Sequence, residues 1–499
     1  MRLLICWLVA ALLLGCNAAQ SKPLAGEAGL SVARRPNIIL IMADDQGYGD
    51  LARNGNPIIR TPNIDRLYDE ALRFEDFHVS PTCAPTRSSL MSGKHEFKNG
   101  VTHTIFERER MSLKTHTIAQ VLKAAGYTNG IFGKWHLGDE PAYQPDQRGF
   151  DEVYIHGGGG IGQGYPGTCG DAPGNRYFDP VLKHNGKFEK TTGYCTDLFF
   201  GQAIKWAQSV KDKEQPFFMY ITPNAPHAPL QCPADYEKMY TGKVPLDTAK
   251  FFGMITNIDD NVGKLMAKLK EWKLDENTLV IYMNDNGGQP HSNKIFNAGM
   301  RGNKGSAYNG GARAMSLWRW PGTIKPGSCD KLTAHIDYFA TFADLAGQTV
   351  KDNIDGYSLL PLLVDPKATW HEDRMLFTHA GRWGGRADDS KPMKLMPNGK
   401  CSVRFQQYLM VYEKEWTLYD LKADPGEKEN IAGKHPEIIA KLSKAYDQWW
   451  EDCLPCLENE TAWKTARSDN PFKTDYWKQY GGPGPNNVPV GKTAKGNGE

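Results

Sequence analysis

The sequence predicts an α/β fold, in which a large mixed, mostly parallel sheet is sandwiched by helices and followed by a smaller C-terminal α+β subdomain. Three observations support this prediction. Four short apolar runs each end in a polar or glycine-rich turn, segments with helical spacing lie between them, and the pattern changes after about Asp373. The 499 residues are enough for two or more domains.

The first observation concerns strands that are buried on both faces. Near-continuous runs of large apolar residues are typical of the inner strands of a parallel sheet. The runs cover residues 37–43, 128–132, 217–221 and 279–283. Because ligands bind beyond the carboxyl ends of such strands, the polar turns that follow these runs are predicted to form a site.

The second observation concerns the helices between these runs. Residues 117–125, 196–208 and 259–272 carry apolar residues at helical spacing, and Gly126 follows the first of them as a stop signal. Strands that alternate with helices favour a sheet covered by helices.

The third observation concerns the C-terminal part. The stretches "CSVRFQQYLMVY" and "EWTLYDLKADPGEKEN" predict antiparallel strands and a turn, followed by a helix from about Pro436 to Trp450. We therefore place a main domain over residues 34–373 and a subdomain over 374–480. Residues 481–499, rich in Gly, Pro, Asn and Lys, are predicted to be a disordered tail.

The first 20 residues are predicted to be an export signal. Arg2 precedes an apolar run, residues 3–14, that is too short to span a bilayer stably. Gly15-Cys16 resembles a bacterial lipobox, in which Cys16 becomes lipidated; the alternative is ordinary cleavage near Ala18. We expect an exported protein, periplasmic or at the cell surface, with a lipid anchor to the membrane in the first case.

Composition bears on partners and on disulfides. A formal net charge of +2 gives no reason to expect a nucleic acid partner. Beyond the signal the cysteines are Cys83, Cys169, Cys195, Cys232, Cys329, Cys401, Cys453 and Cys456. In an oxidising compartment most could pair, Cys169 with Cys195 among them. The Cys453-Leu-Pro-Cys456 stretch lacks thioredoxin-like surroundings, so structural disulfides are favoured over a redox motif.

Oxygen ligands follow two of the predicted strands. Asp44 and Asp45 end the first run, and Asp285 and Asn286 end the last one. Crowded carboxylates repel each other unless a cation or protons intervene. Carboxylate and amide oxygens suit a hard cation, Ca²⁺ or Mg²⁺, better than zinc. The alternative for either pair is capping and turn formation.

Five positive or protonatable side chains add to these carboxylates: Arg87, Lys134, His136, His227 and Lys304. Three of them, Lys134, His136 and His227, are predicted at neighbouring strand ends. Together they would surround a small tetrahedral anion, stabilise charge developing in a transition state and supply a proton to a leaving oxygen. Each alone is more often a surface charge or a structural histidine, so the argument depends on their convergence.

Cys83 begins the stretch "CAPTRSSLMSG", which resembles the Cys-x-Pro-Ser/Thr-Arg motif of the sulfatases, with Pro85 and Arg87 in register. Further blocks resemble that family of the alkaline-phosphatase superfamily: "GKWHLG", "NAPHAPL", "NDNGG", "MRGNKGSAYNGGAR" and "HIDYFATFADLAG". The resemblance covers roughly residues 35–432 and implies an alkaline-phosphatase-like fold.

The resemblance implies a specific use for Cys83. In sulfatases this cysteine is oxidised to formylglycine, an aldehyde, by a separate maturation enzyme, which would be a transient partner here. The hydrated aldehyde offers one hydroxyl to attack sulfur, and its second hydroxyl then lets the covalent sulfate leave. The resemblance thus implies an exported enzyme that hydrolyses sulfate esters.

The resemblance also assigns roles to the other candidates. One Ca²⁺ would be held by Asp44, Asp45, Asp285, Asn286 and the modified Cys83. The sulfate oxygens would be bound by Arg87, Lys134 and Lys304. His136 would assist the hydrate, and His227 would protonate the leaving oxygen.

Some residues depart from the family pattern or stand outside it. Thr86 replaces the commoner serine, and Asn309 stands where the family has glutamate, which would alter local charge. His156, in "HGGGGIGQ", is a candidate substrate contact; the alternative is a flexible surface loop. His335 and Asp337 look like metal ligands in isolation, but the resemblance makes them structural.

Two other functions compete with this interpretation. A phosphatase or phosphodiesterase of the superfamily would generally use Thr or Ser with two zinc ions, although phosphonate monoester hydrolases can share the formylglycine. A non-catalytic lipoprotein that binds sulfated glycans is the other candidate. It is disfavoured because every expected catalytic position is present.

The expected substrate is a sulfated carbohydrate rather than a simple aryl sulfate. Export suits a polymer or oligosaccharide that is met outside the cytoplasm. The C-terminal part is also rich in rings that could stack on sugars, although core packing is their more common use. These rings are Trp416, Trp449, Trp450, Trp463 and Trp477.

Overall fold

The computed structural model describes residues 35–482, except 106, 166–168, 384–396, 398 and 458–469. Its strands are β1 (Asn37–Ala43), β2 (Leu72–Phe74), β3 (Phe77–His78), β4 (Thr128–Lys134), β5 (Glu152–His156), β6 (Val181–His184), β7 (Lys187–Lys190), β8 (Phe217–Thr222), β9 (Thr278–Asn284), β10 (Ser316–Arg319), β11 (Gly327–Cys329), β12 (Thr333–Ala334), β13 (Met375–His379), β14 (Cys401–Phe405), β15 (Tyr408–Tyr412) and β16 (Trp416–Asp420). Its α-helices are α1 (Pro62–Glu70), α2 (Cys83–Ser92), α3 (Ile118–Ala124), α4 (Cys195–Val210), α5 (Ala234–Lys238), α6 (Leu246–Glu271), α7 (Pro290–Asn293), α8 (Asn309–Ala312), α9 (Asp337–Leu345), α10 (Leu360–Val364), α11 (Pro436–Cys453) and α12 (Pro471–Tyr480).

The predicted α/β sandwich is confirmed. Ten strands form one sheet in the order β11-β2-β10-β9-β1-β8-β4-β5-β6-β7. The five central strands, from β9 to β5, are parallel to their neighbours within that group. Antiparallel pairing occurs at β10, β6 and β7. The four apolar runs therefore mark the parallel centre of a mixed sheet.

Strand β1 shows why helices cover both faces of the sheet. Ile38, Leu40 and Met42 belong to the core on one face, whereas Ile39 and Ile41 belong to the core on the other. Residues of α2, α3 and α9 line the first core, and residues of α1, α4 and α6 line the second. Full burial of one such side chain contributes about 1.5–3 kcal/mol, so both faces stabilise this strand.

The C-terminal strands confirm the smaller α+β subdomain. Strands β13 to β16 form a separate antiparallel sheet in sequence order. Helix α11 packs on it through Tyr446, Trp449 and Trp450, within a core that includes Val403. Because Trp449 and Trp450 are buried there, they do not present rings to a sugar. Trp463 lies outside the described residues.

One predicted helix begins at the wrong residue. The helix expected from Asp259 begins at Leu246, because its earlier turns also bury apolar side chains such as Phe251 and Ile255. The Asp259 carboxylate instead accepts hydrogen bonds from the backbone N–H groups of Asn63 and Ile64 in the first turn of α1.

The expected disulfides are absent among the described residues, where all eight cysteines are free thiols. Cys169 lies in the loop after β5, with its Sγ 4.0 Å from His136 Nε2. Cys195 begins α4 and packs in the core on the face of the sheet that α1, α4 and α6 line. Cys453 ends α11 and Cys456 lies in the following turn, and these two thiols are also unpaired. The expectation was wrong because these cysteines fill separate packing positions.

The chain ends remain matters of prediction. The export signal and Cys16 lie outside the described residues, as does most of the predicted tail. Within the described part, no helix combines the length and the apolar character required to span a bilayer. Helix α12, which we placed with the subdomain, contacts β7 of the large sheet.

Candidate active site

The carboxyl ends of the central strands bring the predicted site residues together. Parallel pairing sets Ala43 of β1 opposite Asn284 of β9, so that Asp44 and Asp285 emerge side by side. On the other side of β1, strand β8 separates it from β4, whose last residue is Lys134. The carboxyl ends of the strands on both sides of β1 therefore carry charged side chains that lie close together.

Three fully buried carboxylates, those of Asp44, Asp45 and Asp285, form the centre of this edge. Candidate ligand atoms of Asp44, Cys83 and Asp285 lie within 4.8 Å of one another, and so do those of Asp44, Asp45 and His227. Both Asp44 Oδ1 and Asn286 Oδ1 are buried without a hydrogen-bond partner in the part of the chain that is described. These oxygens could hold a metal ion.

Each carboxylate is paired with one buried cation. Lys134 Nζ lies 2.6 Å from Asp44 Oδ2, and Lys304 Nζ lies 2.7 Å from Asp45 Oδ1. Arg87 reaches the third carboxylate, with its Nη2 3.1 Å from Asp285 Oδ2. A buried charge that loses its partner is strongly destabilising, so these pairs hold one another in place.

The pKa values of the carboxyl groups differ within this small volume. Burial would raise the pKa of Asp44, but Lys134 and His227 outweigh it, and the pKa is lowered. Burial and the neighbouring Asp44 carboxylate raise the pKa of Asp285 to about 8. Adjacent carboxylates therefore compete for the available positive charge.

Cys83 occupies the first turn of α2. The residue is 2% exposed, and Thr82 is the N-cap of the helix. Partial positive charge at a helix N-terminus stabilises negative charge next to it. Arg87 lies one turn later, on the same face of α2. The helix therefore presents a reactive position and a cation together.

The two histidines are oriented by backbone carbonyls. His136 Nε2–H donates to Thr104 O at 2.7 Å, which leaves a buried Nδ1 lone pair without a partner in the described residues. Burial and Lys134 lower the pKa of His136 well below its usual value. His227 Nδ1–H donates to Ala228 O at 2.7 Å. Its Nε2 therefore faces the site, 3.7 Å from an oxygen of Asp45.

Sequence reasoning missed several polar contacts of the site. Gln289 Nε2 donates to Asp45 Oδ2 at 2.6 Å, and its position directly after "NDNGG" could have indicated it. Thr222 Oγ1 accepts from Arg87 Nη1 at 2.5 Å, at the end of a predicted strand. Tyr177 O–H donates to the His227 carbonyl at 2.6 Å, and nothing in the sequence around it indicated this contact.

His156 differs from the flexible surface residue that was considered. It is the last residue of β5, 1% exposed and beside Lys134 in the register of β4 and β5. Its Nδ1–H donates to Gly157 O at 2.9 Å. The flexible-loop interpretation is therefore wrong, and contact with substrate stays a prediction.

The remaining sequence candidates have structural partners. Asp337 pairs with Arg374 at 2.6 Å, and His335 Nε2 lies 3.2 Å from Ser80 Oγ. Neither residue belongs to the ligand groups described above. The Asn309 backbone N–H donates to Glu427 at 2.9 Å, so the subdomain places a carboxylate beside this position.

A mixed α/β sheet with this charged edge defines a class of protein: hydrolases that act on esters of small tetrahedral oxyanions. The helix N-terminus, the two lysines and the arginine all favour an anion, and the oriented histidines can move protons.

Comparison with known proteins identifies the family within that class. Residues 36–348 match the family described as "Sulfatase", and residues 303–451 match "N-sulphoglucosamine sulphohydrolase, C-terminal". Human arylsulfatase A is 31% identical over 86% of this chain and 90% of that protein. Mouse N-acetylgalactosamine-6-sulfatase is 32% identical over 73% of this chain and 74% of its own.

A solved structure is similar over a still larger part of the chain. The crystal structure of Ps i-CgsB in complex with k-i-k-neocarrahexaose has a TM-score of 0.75 and 28% identity, covering 90% of this chain and 98% of the other. The chain belongs to the sulfatase family, and the reaction that it catalyses is the hydrolysis of sulfuric esters.

We predict that Tyr177→Phe lowers kcat about fivefold with little change in KM, because one hydrogen bond that orients His227 is lost. The matched control is Tyr194→Phe, since Tyr194 stacks on Tyr177 but donates to Gln231 O instead. Steady-state kinetics on a sulfate ester check both variants. Equal losses of kcat in the two variants would contradict the assigned role.

Proposed function

We propose that the protein is an exported sulfatase that hydrolyses sulfate esters of a glycan, using formylglycine at position 83 and one Ca²⁺. The observation that carries this proposal is the placement of Cys83. It begins the Cys-Ala-Pro-Thr-Arg stretch, lies at the N-terminus of α2 and belongs to a group of potential metal ligands. Hydrated formylglycine would supply the attacking oxygen and a second hydroxyl for sulfate release.

Charge counting supports a divalent cation at this site. With Asp285 ionised, the three carboxylates Asp44, Asp45 and Asp285 are balanced in charge by Lys134, Lys304 and Arg87. Binding a sulfate ester adds a negative charge, and it draws these cations away from the carboxylates. The buried unpartnered oxygens of Asp44 and Asn286 suit a hard cation in this set. Bound Ca²⁺ would supply the extra positive charge and polarise the oxygen atoms that it contacts.

The chain's own residues can then be assigned steps. Arg87, Lys134 and Lys304 bind the sulfate oxygens and stabilise the charge that develops on them. His227 presents Nε2 to the leaving oxygen and, when protonated, donates a proton to it. His136, held neutral by burial, accepts a proton at Nδ1 when sulfate is released.

The rim of the site supports a glycan substrate. Tyr165 is 37% exposed, and the electrostatic neighbours of its hydroxyl group are Cys169, Cys83, Lys304 and Arg382. Arg382 is partly exposed, and its Nε has no hydrogen-bond partner in the described residues. A guanidinium here suits a second anionic group on the substrate, such as another sulfate or a uronate. The names of the relatives point the same way, toward sulfated amino sugars and carrageenan oligosaccharides.

We predict that Cys83 is converted to formylglycine when the protein is made in a host that has the maturation enzyme. Mass spectrometry of the tryptic peptide that contains position 83 should show the aldehyde or its hydrate. Cys83→Ala should lack activity, because no nucleophile remains. Full activity in a preparation that carries only the thiol would exclude this mechanism.

We predict that Asp285→Ala removes most activity and weakens Ca²⁺ binding, because one oxygen ligand is lost. The protein should stay folded with a lower melting temperature, since Arg87 keeps a second carboxylate, Asp44, 3.8 Å away. Calorimetric Ca²⁺ titration, activity and thermal unfolding measure the three effects. The control is Asp50→Asn, a buried carboxylate that contacts Gly47 and Ser292 outside the ligand groups. Wild-type activity that survives exhaustive chelation would show that the metal assignment is wrong.

We predict higher kcat/KM on sulfated oligosaccharides of galactose, N-acetylglucosamine, fucose or uronic acid than on nitrophenyl sulfate. Arg382→Ala should lower kcat/KM on the preferred oligosaccharide by about tenfold or more, since a charged hydrogen bond is lost. The nitrophenyl ester should change little. Arg176→Ala, an exposed arginine, is the control. A clear preference for the aryl ester over the whole panel would exclude the carbohydrate assignment.

A further inference from the structure

A run of four glycines packs directly against one of the site histidines. Residues 157–160, here called the glycine loop, follow β5. A Cβ added to Gly159 would lie 2.6 Å from His136 Nε2, the atom that donates to Thr104. The Gly159 backbone therefore lies against the ring of His136, and a shift of the loop would release the ring.

Two buried carboxylates hold the glycine loop from one side. Asp171 accepts from the Gly157 backbone N–H at 3.0 Å, and Asp139 accepts from the Gly158 N–H at 3.4 Å. Asp139 also accepts from the Gly170 N–H at 2.9 Å, so the same carboxylate connects the glycine loop to the backbone at Gly170.

The C-terminal helix α12 and its N-cap residue contact another glycine of the loop and Gly170, which Asp139 ties to the loop. The ring of Phe472, 1% exposed, lies against Gly157, where an added Cβ would be 2.6 Å from ring atom Cδ1. The side chain of Asn470, whose Oδ1 also accepts from the Lys473 N–H as the N-cap of α12, lies against Gly170. Phe472 also packs edge-on against Phe188 of β7, with ring centroids 5.0 Å apart.

Helix α12 is firmly attached to the edge of the large sheet. The Gln479 side chain forms two hydrogen bonds with the backbone of Phe188, both 2.7 Å long. Asp475 pairs with Lys183 of β6 at 3.1 Å. The helix lies beyond residue 451, where the family match ends.

We propose that α12 is part of the catalytic architecture, with Phe472 and Asn470 as positioning residues that hold the glycine loop against His136. The inference rests on the proposed role of His136 in sulfate release. Loosening the loop should slow that step without altering sulfate binding, which involves other residues. Because release follows formation of the covalent sulfate, slower release should lower kcat and KM together and leave kcat/KM nearly unchanged.

The test compares Phe472→Ala, Phe472→Leu and Asn470→Ala in the full chain, using the sulfate ester that wild-type enzyme hydrolyses fastest. We expect kcat to fall about tenfold in Phe472→Ala and less in Phe472→Leu, which keeps apolar bulk, with kcat/KM within about twofold of wild type. Trp477→Ala is the control, since its ring contacts Tyr476 and Gly482 instead of the glycine loop.

Cys169 provides a second readout that is independent of turnover. Cys169 is 1% exposed and precedes Gly170. Its rate of reaction with a maleimide, mapped by mass spectrometry, therefore reports how often this segment and the glycine loop open to solvent. We expect faster labelling of Cys169 in Phe472→Ala and Asn470→Ala than in Trp477→Ala. Wild-type kcat and Cys169 labelling in folded Phe472→Leu and Asn470→Ala would overturn the proposal, even if Phe472→Ala fails to fold.

His136→Ala separates this inference from the proposed function. If His136→Ala retains wild-type kcat, the proposed role of the histidine is wrong. The contact of the glycine loop with His136 then has no catalytic purpose. If His136→Ala loses kcat while the Phe472 and Asn470 variants keep it, only the inference about α12 fails.

Discussion

The pairing of three buried carboxylates with three buried cations is the constraint on which the rest of the structure depends. Burying one of these charges without its partner would destabilise the fold by several kcal/mol. Each carboxylate therefore requires its cation, and each cation requires its carboxylate. The partners are distant in sequence: Asp44 ends β1, Lys134 ends β4, and Lys304 precedes α8. The parallel centre of the sheet makes the pairing possible, because its strand ends meet at one edge.

The same pairing sets up the chemistry. In the proposed mechanism, cations that already lie at carboxylates are held in place before substrate arrives, and they turn to the sulfate oxygens with little reorganisation. The N-terminus of α2 adds positive character beside Cys83, and Arg87 follows on the same helix face. Thr104 fixes the proton of His136 on Nε2, so that the free Nδ1 lone pair can act as a base.

Four of the five central strands, β1, β4, β8 and β9, could be predicted to within two residues because they are buried on both faces and read as continuous apolar runs. Strand β5 was not predicted. Edge strands carry no such pattern: in β7, "KFEK", only Phe188 is buried. The charged site residues could be proposed from residue type at strand ends and from family resemblance. Tyr177 could not, because its contact with His227 spans 50 positions and depends on tertiary packing. The role proposed for α12 likewise depends on contacts between distant segments.

The most direct test is a comparison of the sulfate, phosphate and methylphosphonate esters of nitrophenol. It uses enzyme whose formylglycine content has been measured and whose Ca²⁺ is saturating. The account predicts that kcat/KM is highest for the sulfate ester, scales with formylglycine content and disappears in Cys83→Ala. Faster hydrolysis of the phosphate or phosphonate ester, or sulfate ester turnover that is independent of formylglycine content, would contradict it.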